Sequence, residues 1–290
     1  MNIDLAGKRA IVAGGSRGIG RAIALAFAEA GAAVSICARG AEGLVATHEE
    51  IARHGGVAHS AVCDLANEAA VPRYIEDAAA TLGGIDILVN NAGRSIRRAI
   101  ENSYDRLHDF ERLMRLNYLA AVQVTMGFLP GMAERRSGHV VNVSSIAAIT
   151  LSSRFSAYVA SKSALEAWSD VAACEFLDRN VAFTNVNMPL VRTRMTAPTK
   201  FYQHVPLLDP DEAAGLVVEA IIHRPARVAT RLGRFGQIVR AVLPAFGRIV
   251  LNTTFRMFPE SAAATGAKEV EITPTADQIA FTQLLKGLHL

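Results

Sequence analysis

Apolar positions fall in short continuous runs separated by longer amphipathic stretches. Residues 9–13 form one such run, and Gly14, Gly15, Ser16, Arg17, Gly18, Ile19 and Gly20 follow it, an order that predicts strand, glycine turn and helix. Ala22, Ile23, Leu25, Ala26 and Phe27 then keep helical spacing up to Gly31, which suits a C-terminal cap. A second strand is expected over residues 33–38. It closes one βαβ unit, with the glycines where the first strand feeds the first helix.

The alternation continues. Residues 58–63, 85–89, 138–143 and 181–187 read as strands, the last ending before Pro189, and residues 67–82, 103–129 and 158–176 read as helices. Strands buried on both faces carry near-continuous Val/Ile runs, and Val140, Val141 and Val143 fit that rule. The pattern predicts an α/β fold, a doubly wound parallel sheet of the Rossmann type, over residues 1–194.

Past Arg194 the character changes, because seven of the ten prolines lie there. Residues 195–290 are expected to form a helical C-terminal appendage packed as part of one domain, not another βαβ repeat. Between Ala220 and Pro259 stand Arg224, Arg227, Arg231, Arg234, Arg240, Arg248 and Arg256, with no Asp or Glu. Residues 235–251 mix aliphatic, aromatic and arginine side chains on a pair of short helices broken by Pro244 and Gly247. Such a surface suits an acyl tunnel, an anionic membrane face or a subunit contact; an amphipathic helix packed on the core with solvated arginines is the plain alternative.

Composition narrows the function classes. The 290 residues are 51% hydrophobic, 20% charged and 6% aromatic, enough for a substantial core, which excludes disordered, collagen-like and disulfide-scaffold chains. A net charge of +3 lacks the footprint of a nucleic-acid binder, so no nucleic-acid partner is expected. Cys37, Cys63 and Cys174 are scattered and odd in number, without Cys/His ligand spacing, so a reduced, cytoplasmic protein with no metal site is expected. The N-terminal residues carry charge where a secretion signal needs an apolar run. No apolar run approaches the roughly 18 to 20 residues of a membrane span.

Gly14, Gly18 and Gly20 allow a tight turn, close approach of a pyrophosphate and helix-on-sheet packing, and helix N-terminal amides favour the phosphate charge. An acidic side chain at the end of the second strand would bind a ribose diol and repel a 2′-phosphate, but that position reads Ala38-Arg39. Arg17 and Arg39 can converge on a phosphate, so NADP(H) is expected over NAD(H). Their alternative role is as solvated surface charges.

Tyr158 and Lys162 stand four residues apart, on one helix face. A phenol with a pKa of about 10 is a poor base at neutral pH, and a nearby ammonium favours its ionised form. The chain also carries Asn90, Asn91, Ala92 and Gly93 after a strand, Asn117 within a helix, and Ser144-Ser145 after a strand, with Ser145 thirteen residues ahead of Tyr158. Together these motifs closely resemble the short-chain dehydrogenase/reductase family over residues 5–195.

The resemblance implies that Tyr158 donates the proton in reduction and that Ser145, by its spacing preferred to Ser144, donates to the substrate oxygen. It implies that Lys162 binds the nicotinamide ribose and lowers the tyrosine pKa, and that Asn117 holds a relay water. Gly14, Ser16, Arg17, Gly18, Ile19, Gly20, Arg39, Asp64, Asn91, Ala92, Gly93, Tyr158, Lys162, Pro189 and Thr193 would line the dinucleotide, with Asp64 at the adenine amino group, Asn91 to Gly93 flanking the adenosine ribose and Thr193 at the carboxamide. For Asp64 a simple helix N-cap is the alternative. Two positions depart from the family pattern: Ala13 replaces a threonine before the glycine turn, and Leu190 replaces a glycine after Pro189.

In this family the segment after Thr193 forms the substrate lid. Residues 195–200, 209–214, 220–225 and 255–261 resemble the tails of bacterial long-chain acyl-CoA reductases of this fold. That resemblance implies NADPH-dependent reduction of a long-chain fatty acyl-CoA to the fatty aldehyde, with arginines suited to the CoA phosphates and no covalent cysteine. The alternative reaction is oxidoreduction of a ketone, secondary alcohol or 3-oxoacyl group on a hydrophobic substrate. Outside enzymes, an NADP-binding regulator or a membrane adaptor acting through the tail are the alternatives. Family members are commonly homo-oligomers, and the same is implied here.

Overall fold

Each apolar run of the first two thirds of the chain becomes a strand of one sheet. The computed structural model describes residues 3–199, 202, 205–258, 260, 275 and 277–279. The tail motifs ending at Lys200 and Ser261, and nearly all of the expected appendage beyond residue 260, therefore lie outside the described residues.

The strands are β1 (Arg9–Ala13), β2 (Ala33–Ala38), β3 (Ala58–Val62), β4 (Ile87–Asn90), β5 (Gly138–Ser145), β6 (Val181–Met188) and β7 (Arg227–Ala229). All pair in parallel in the order β3-β2-β1-β4-β5-β6-β7. The helices are α1 (Gly18–Glu29), α2 (Ala41–Arg53), α3 (Val71–Leu82), α4 (Leu107–Met114), α5 (Ala120–Glu134), α6 (Ile146–Thr150), α7 (Ser156–Glu175), α8 (Pro210–His223), α9 (Arg231–Val242) and α10 (Pro244–Met257). This is the doubly wound α/β fold with a helical C-terminal extension that the alternation predicts. The order in which successive strands are added reverses between β1 and β4, which opens the ligand crevice of such folds above their C-terminal ends.

Consecutive strand residues face opposite sides. Val12, Val34, Val89 and Val141 meet Phe27 of α1, Leu44 of α2 and Val217 of α8 in one core layer. Their neighbours Ile11, Leu88 and Val140 meet Tyr74 of α3, Phe128 of α5 and Ala172 of α7 in the other.

Four expectations are corrected. Residues 41–53, assigned no element from the sequence, form α2, which buries only Leu44, Thr47 and Ile51. The helix expected over 103–129 begins later, at Leu107, runs on to Glu134, and widens into a π-helical turn at Arg115–Leu119 between α4 and α5. Beyond Arg194 the βα alternation does continue: α8 crosses over and β7 pairs parallel with β6 through Asn185, Val186 and Asn187. The helix pair past Thr230 is present, broken at Pro244, whereas Gly247 lies inside α10.

Two polar features are buried within the apolar layers. Asn90 donates to Thr125 of α5 and to Asn142 (both 2.9 Å), Asn142 donates to Asn185 (3.2 Å), and Asn185 donates to Asp170 of α7 (3.0 Å). The three asparagines are register partners across β4, β5 and β6. Near β7, Thr184 gives its proton to the Pro225 carbonyl at 2.6 Å, so its oxygen accepts from His139 Nε2 at 2.9 Å. Burial, followed by the charge of Arg224, pushes the His139 pKa down to about 3.

Candidate active site

At Gly14, Gly15 and Gly20 the β1–α1 turn leaves no room for a Cβ. Gly14 and Gly15 amides donate to the Cys37 carbonyl at 2.9 and 3.2 Å, tying the turn to β2. Gly14 has φ 80° and Gly18 φ 55°, in the left-handed region that disfavours side chains. A Cβ on Gly20 would run into the Gly14 carbonyl and the Asn91 side-chain amide. That amide donates to the Ala13 and Gly14 carbonyls at 3.3 and 3.0 Å, so Asn91 braces the turn from below. Ala92 packs against Gly14.

Helix α1 starts without a capping side chain at Arg17 and without an acid in its first turn. Its first amides therefore face the crevice as donors for an anion. Ser16 lies against Gly43 of α2, Ile19 packs on the core, and Thr193 hangs over the turn with its methyl 3.4 Å from where a Gly18 Cβ would sit. Arg17 and Arg39 are exposed, and neither forms an ion pair among the described residues. Asp64 is exposed and folds back on its own backbone, accepting from the Ala66 amide at 3.1 Å, while Asn67 caps the following turn. Pro189 follows β6 directly, and the Leu190 carbonyl after it accepts from the Leu208 amide at 2.9 Å.

The last residues of β5 point to opposite sides. Ser145 caps α6, accepting from the Ala147 amide at 3.1 Å, and its hydroxyl lies near enough to the Tyr158 phenol to ease its ionisation. Ser144 turns the other way and donates to Glu166. One helical turn along α7 from Tyr158, Lys162 donates from Nζ to the Val143 carbonyl at 2.8 Å. Asn117 sits in the π-helical turn, fully buried, donating to the Arg94 carbonyl (2.9 Å) and Ser161 (3.0 Å) and accepting from the Arg94 amide (2.8 Å). A Cβ on Gly93 would lie 3.3 Å from Asn117 Oδ1 and 3.4 Å from Lys162 Nζ, so both groups close on that glycine. The fold thus brings Asn117, Ser145, Tyr158 and Lys162 together from the π-turn, β5 and α7.

Electrostatics in this cluster is governed by burial. Burial pushes the Tyr158 phenol up to about 12; the Ser145 hydroxyl opposes this, and the charges of Glu166 and Tyr202 add to it. Burial pulls the Lys162 ammonium down to about 8 against the attraction of Glu166. Desolvation of the phenolate outweighs the other influences on Tyr158. Near neutral pH the phenol keeps its proton and the lysine remains an ammonium.

Sequence reasoning missed the polar cluster behind Ser145. Glu166, one turn past Lys162 on α7, accepts from Ser144, from Asn187 Nδ2 at 2.6 Å and from Arg227 Nη1 at 2.6 Å. Arg227 also donates to Asn187 Oδ1 at 2.7 Å, and Asn187 donates to the Ser145 carbonyl at 3.1 Å. Nothing in the sequence pairs Glu166 with an arginine 61 residues away.

Beside α7 a cavity of about 400 Å³ is lined by Ile100, Leu151, Val159 and Phe255, with Glu101 and Arg154 among its walls. Arg154 closes one side: Nη1 donates to the Phe255 carbonyl at 2.9 Å and the guanidinium stacks 4.0 Å from the centre of the Phe255 ring.

A family model described as short chain dehydrogenase matches residues 8–202. The chain is 45% identical over 294 residues to an uncharacterised oxidoreductase of Mycobacterium tuberculosis, covering 100% of this chain and 86% of that protein. It is 44% identical over 286 residues to a fatty acyl-CoA reductase of Acinetobacter baylyi, covering 99% of this chain and 96% of the other. Among solved structures, a 7α-hydroxysteroid dehydrogenase complexed with NADH and 7-oxo glycochenodeoxycholic acid matches with a TM-score of 0.68 at 27% identity, covering 76% of this chain and 89% of that one.

Proposed function

The chain belongs to the short chain dehydrogenase family and is an NAD(P)-dependent oxidoreductase of that type, and on that premise we propose that it reduces the carbonyl group of a hydrophobic substrate at Tyr158. The observation that carries this reading is the convergence of the Ser145 and Tyr158 hydroxyls at the C-terminal end of β5, where Lys162 Nζ also bonds the strand.

The residues of the crevice fit a nicotinamide dinucleotide. The glycine cradle leaves no room for a Cβ at Gly20, and the first amides of α1 accommodate the pyrophosphate, with Ser16, Ile19 and Thr193 around them. Exposed Arg17 and Arg39 and the absence of an acid directly after β2 favour NADP(H). Ala92 and Gly93 would border the adenosine ribose, Asp64 would meet the adenine, and Pro189 would shape the nicotinamide end. Bound there, the dinucleotide supplies the hydride.

The protein's own groups handle the oxygen and the proton. Ser145 donates to the substrate oxygen and Tyr158 delivers its proton as negative charge develops there. Lys162 holds the nicotinamide ribose and keeps a positive charge near the phenol, which favours release of the proton. Asn117 anchors the π-turn against Arg94 and Ser161, where a relay water would be held.

The substrate class best supported is a ketone, secondary alcohol or 3-oxoacyl group on an apolar body, the kind of carbonyl present in the steroid complex of similar fold. The apolar walls of the cavity beside Val159 suit such a body. A second reading, reduction of a long-chain acyl-CoA to the aldehyde, is favoured by the similarity that extends through the tail to the Acinetobacter baylyi protein. In that case the hemithioacetal formed at Tyr158 collapses to aldehyde and free thiol.

One experiment separates them. NADPH consumption is followed with a hydrophobic ketone, a 3-oxoacyl-CoA and palmitoyl-CoA, with released thiol measured alongside. Consumption with ketone or 3-oxoacyl substrate and no thiol supports the first reading. Thiol released in step with NADPH supports the second, and no consumption with any of the three counts against both.

A further inference from the structure

Helices α9 and α10 wear their apolar side chains on the wrong side for a packed element. Where α9 meets the body of the protein it uses glycine: a Cβ on Gly233 would sit 2.8 Å from Ile149 and 3.2 Å from Ile146, and one on Gly236 would sit 3.0 Å from Thr150. The large apolar residues point away. Phe235, Ile238 and Val242 on α9, Leu243 at the elbow, and Phe246 and Ile249 on α10 are each more than half exposed. On each helix they recur at three- or four-residue spacing, which makes one stripe per helix meeting at the elbow.

Cations surround this stripe. Arg231, Arg234, Arg240, Arg248 and Arg256 are exposed, none forms an ion pair among the described residues, and no acid occurs between Ala220 and Pro259. No helix among the described residues is long and apolar enough to cross a membrane.

We propose that the α9–α10 elbow is a peripheral docking surface for an anionic lipid bilayer, with Phe246, Ile249 and their neighbours in the acyl–headgroup boundary and the arginines among the lipid phosphates. Each stripe suits a helix lying in the interface plane, where an apolar face sinks by about 5 to 10 Å. A second copy of the chain fits less well, since a two-fold contact through this patch sets arginines against arginines with no carboxylate between them. α10 also carries Phe255 into the wall of the cavity beside Val159, so the docking helix and the apolar cavity are continuous. The docking does not depend on which carbonyl substrate the site takes.

The test is flotation of the full chain with vesicles of phosphatidylcholine alone and of phosphatidylcholine with phosphatidylglycerol, at low and physiological salt. The expected result is capture by the anionic vesicles only. Phe246→Ser with Ile249→Ser should lower capture by about tenfold or more. Arg240→Gln with Arg248→Gln should lower it by about fivefold per charge and flatten its salt dependence. Ile238→Ser with Val242→Ser repeats the apolar test on α9. Each variant should keep the thermal shift produced by NADPH, which reports an intact fold. Failure of the wild-type chain to float with anionic vesicles overturns the proposal, as does equal flotation of the apolar variants. Dispersal of an oligomer by those variants without lipid, seen by light scattering, also overturns it and assigns the patch to self-association.

Discussion

Replacing Arg227 with methionine isolates a short and largely buried electrostatic contact. Glu166 is 9% exposed at its side chain and Arg227 24%, and Nη1 meets Oε2 at 2.6 Å. Removing one partner of a buried pair costs about 3 to 5 kcal/mol, because the surviving charge is left without its counterion. Ser144 and Asn187 still donate to the carboxylate, which places Arg227→Met near the lower limit, about 3 kcal/mol. Glu166→Gln should cost less, since Arg227 keeps Asn187 at 2.7 Å and Asp170 at 3.8 Å. The double variant should cost less than the sum of the singles by about 1 to 3 kcal/mol. Urea titrations of the four proteins at pH 7, with unchanged slopes, measure each difference. Single costs that add within about 0.5 kcal/mol, or a cost of Arg227→Met below about 1 kcal/mol, would show that the carboxylate does not rely on this arginine.

Tyr158→Phe should retain NADPH binding by calorimetry and lose turnover by about a hundredfold or more; surviving turnover would move the proton donor elsewhere. Arg39→Ala should weaken NADPH binding by about tenfold and leave NADH binding nearly unchanged, and equal effects on the two would make Arg39 a general surface charge. His139 has a pKa of about 3 in the fold against 6.5 in an open chain, so the unfolded chain binds a proton between those values that the folded one does not. Stability is therefore lost as pH falls from about 6.5 towards 3, and His139→Gln should make that decline shallower in urea titrations across the range; an unchanged slope refutes it.

Legibility in the sequence followed the length of each signal. The glycines of the first turn, the Val-rich β5 and the Tyr158–Lys162 spacing are local, and each stands where the local pattern predicts. Helix α2 escaped because its buried face is three residues long and interrupted by Thr47, which returns a hydrogen bond to the Gly43 carbonyl. Strand β7 has three residues, too few for any period, and is held by pairing with β6 and by the Arg227 contacts. The break between α4 and α5 was hidden because a π-turn keeps helical composition while shifting the face by one residue, which turns Asn117 inward. Glu166 was visible only as another helix residue; its partners come from β5, β6 and β7.

The row of Asn90, Asn142 and Asn185 has a consequence for how the chain reaches this structure. Its strands lie far apart in sequence, and parallel partners with similar Val-rich runs offer several plausible alignments. A slip of one residue would carry an asparagine to the opposite, apolar face and strand its amide there, at about 1 to 3 kcal/mol per group. In the native alignment each amide nitrogen has an acceptor. The asparagines thus tie the energy of the buried layers to one alignment of β4, β5 and β6.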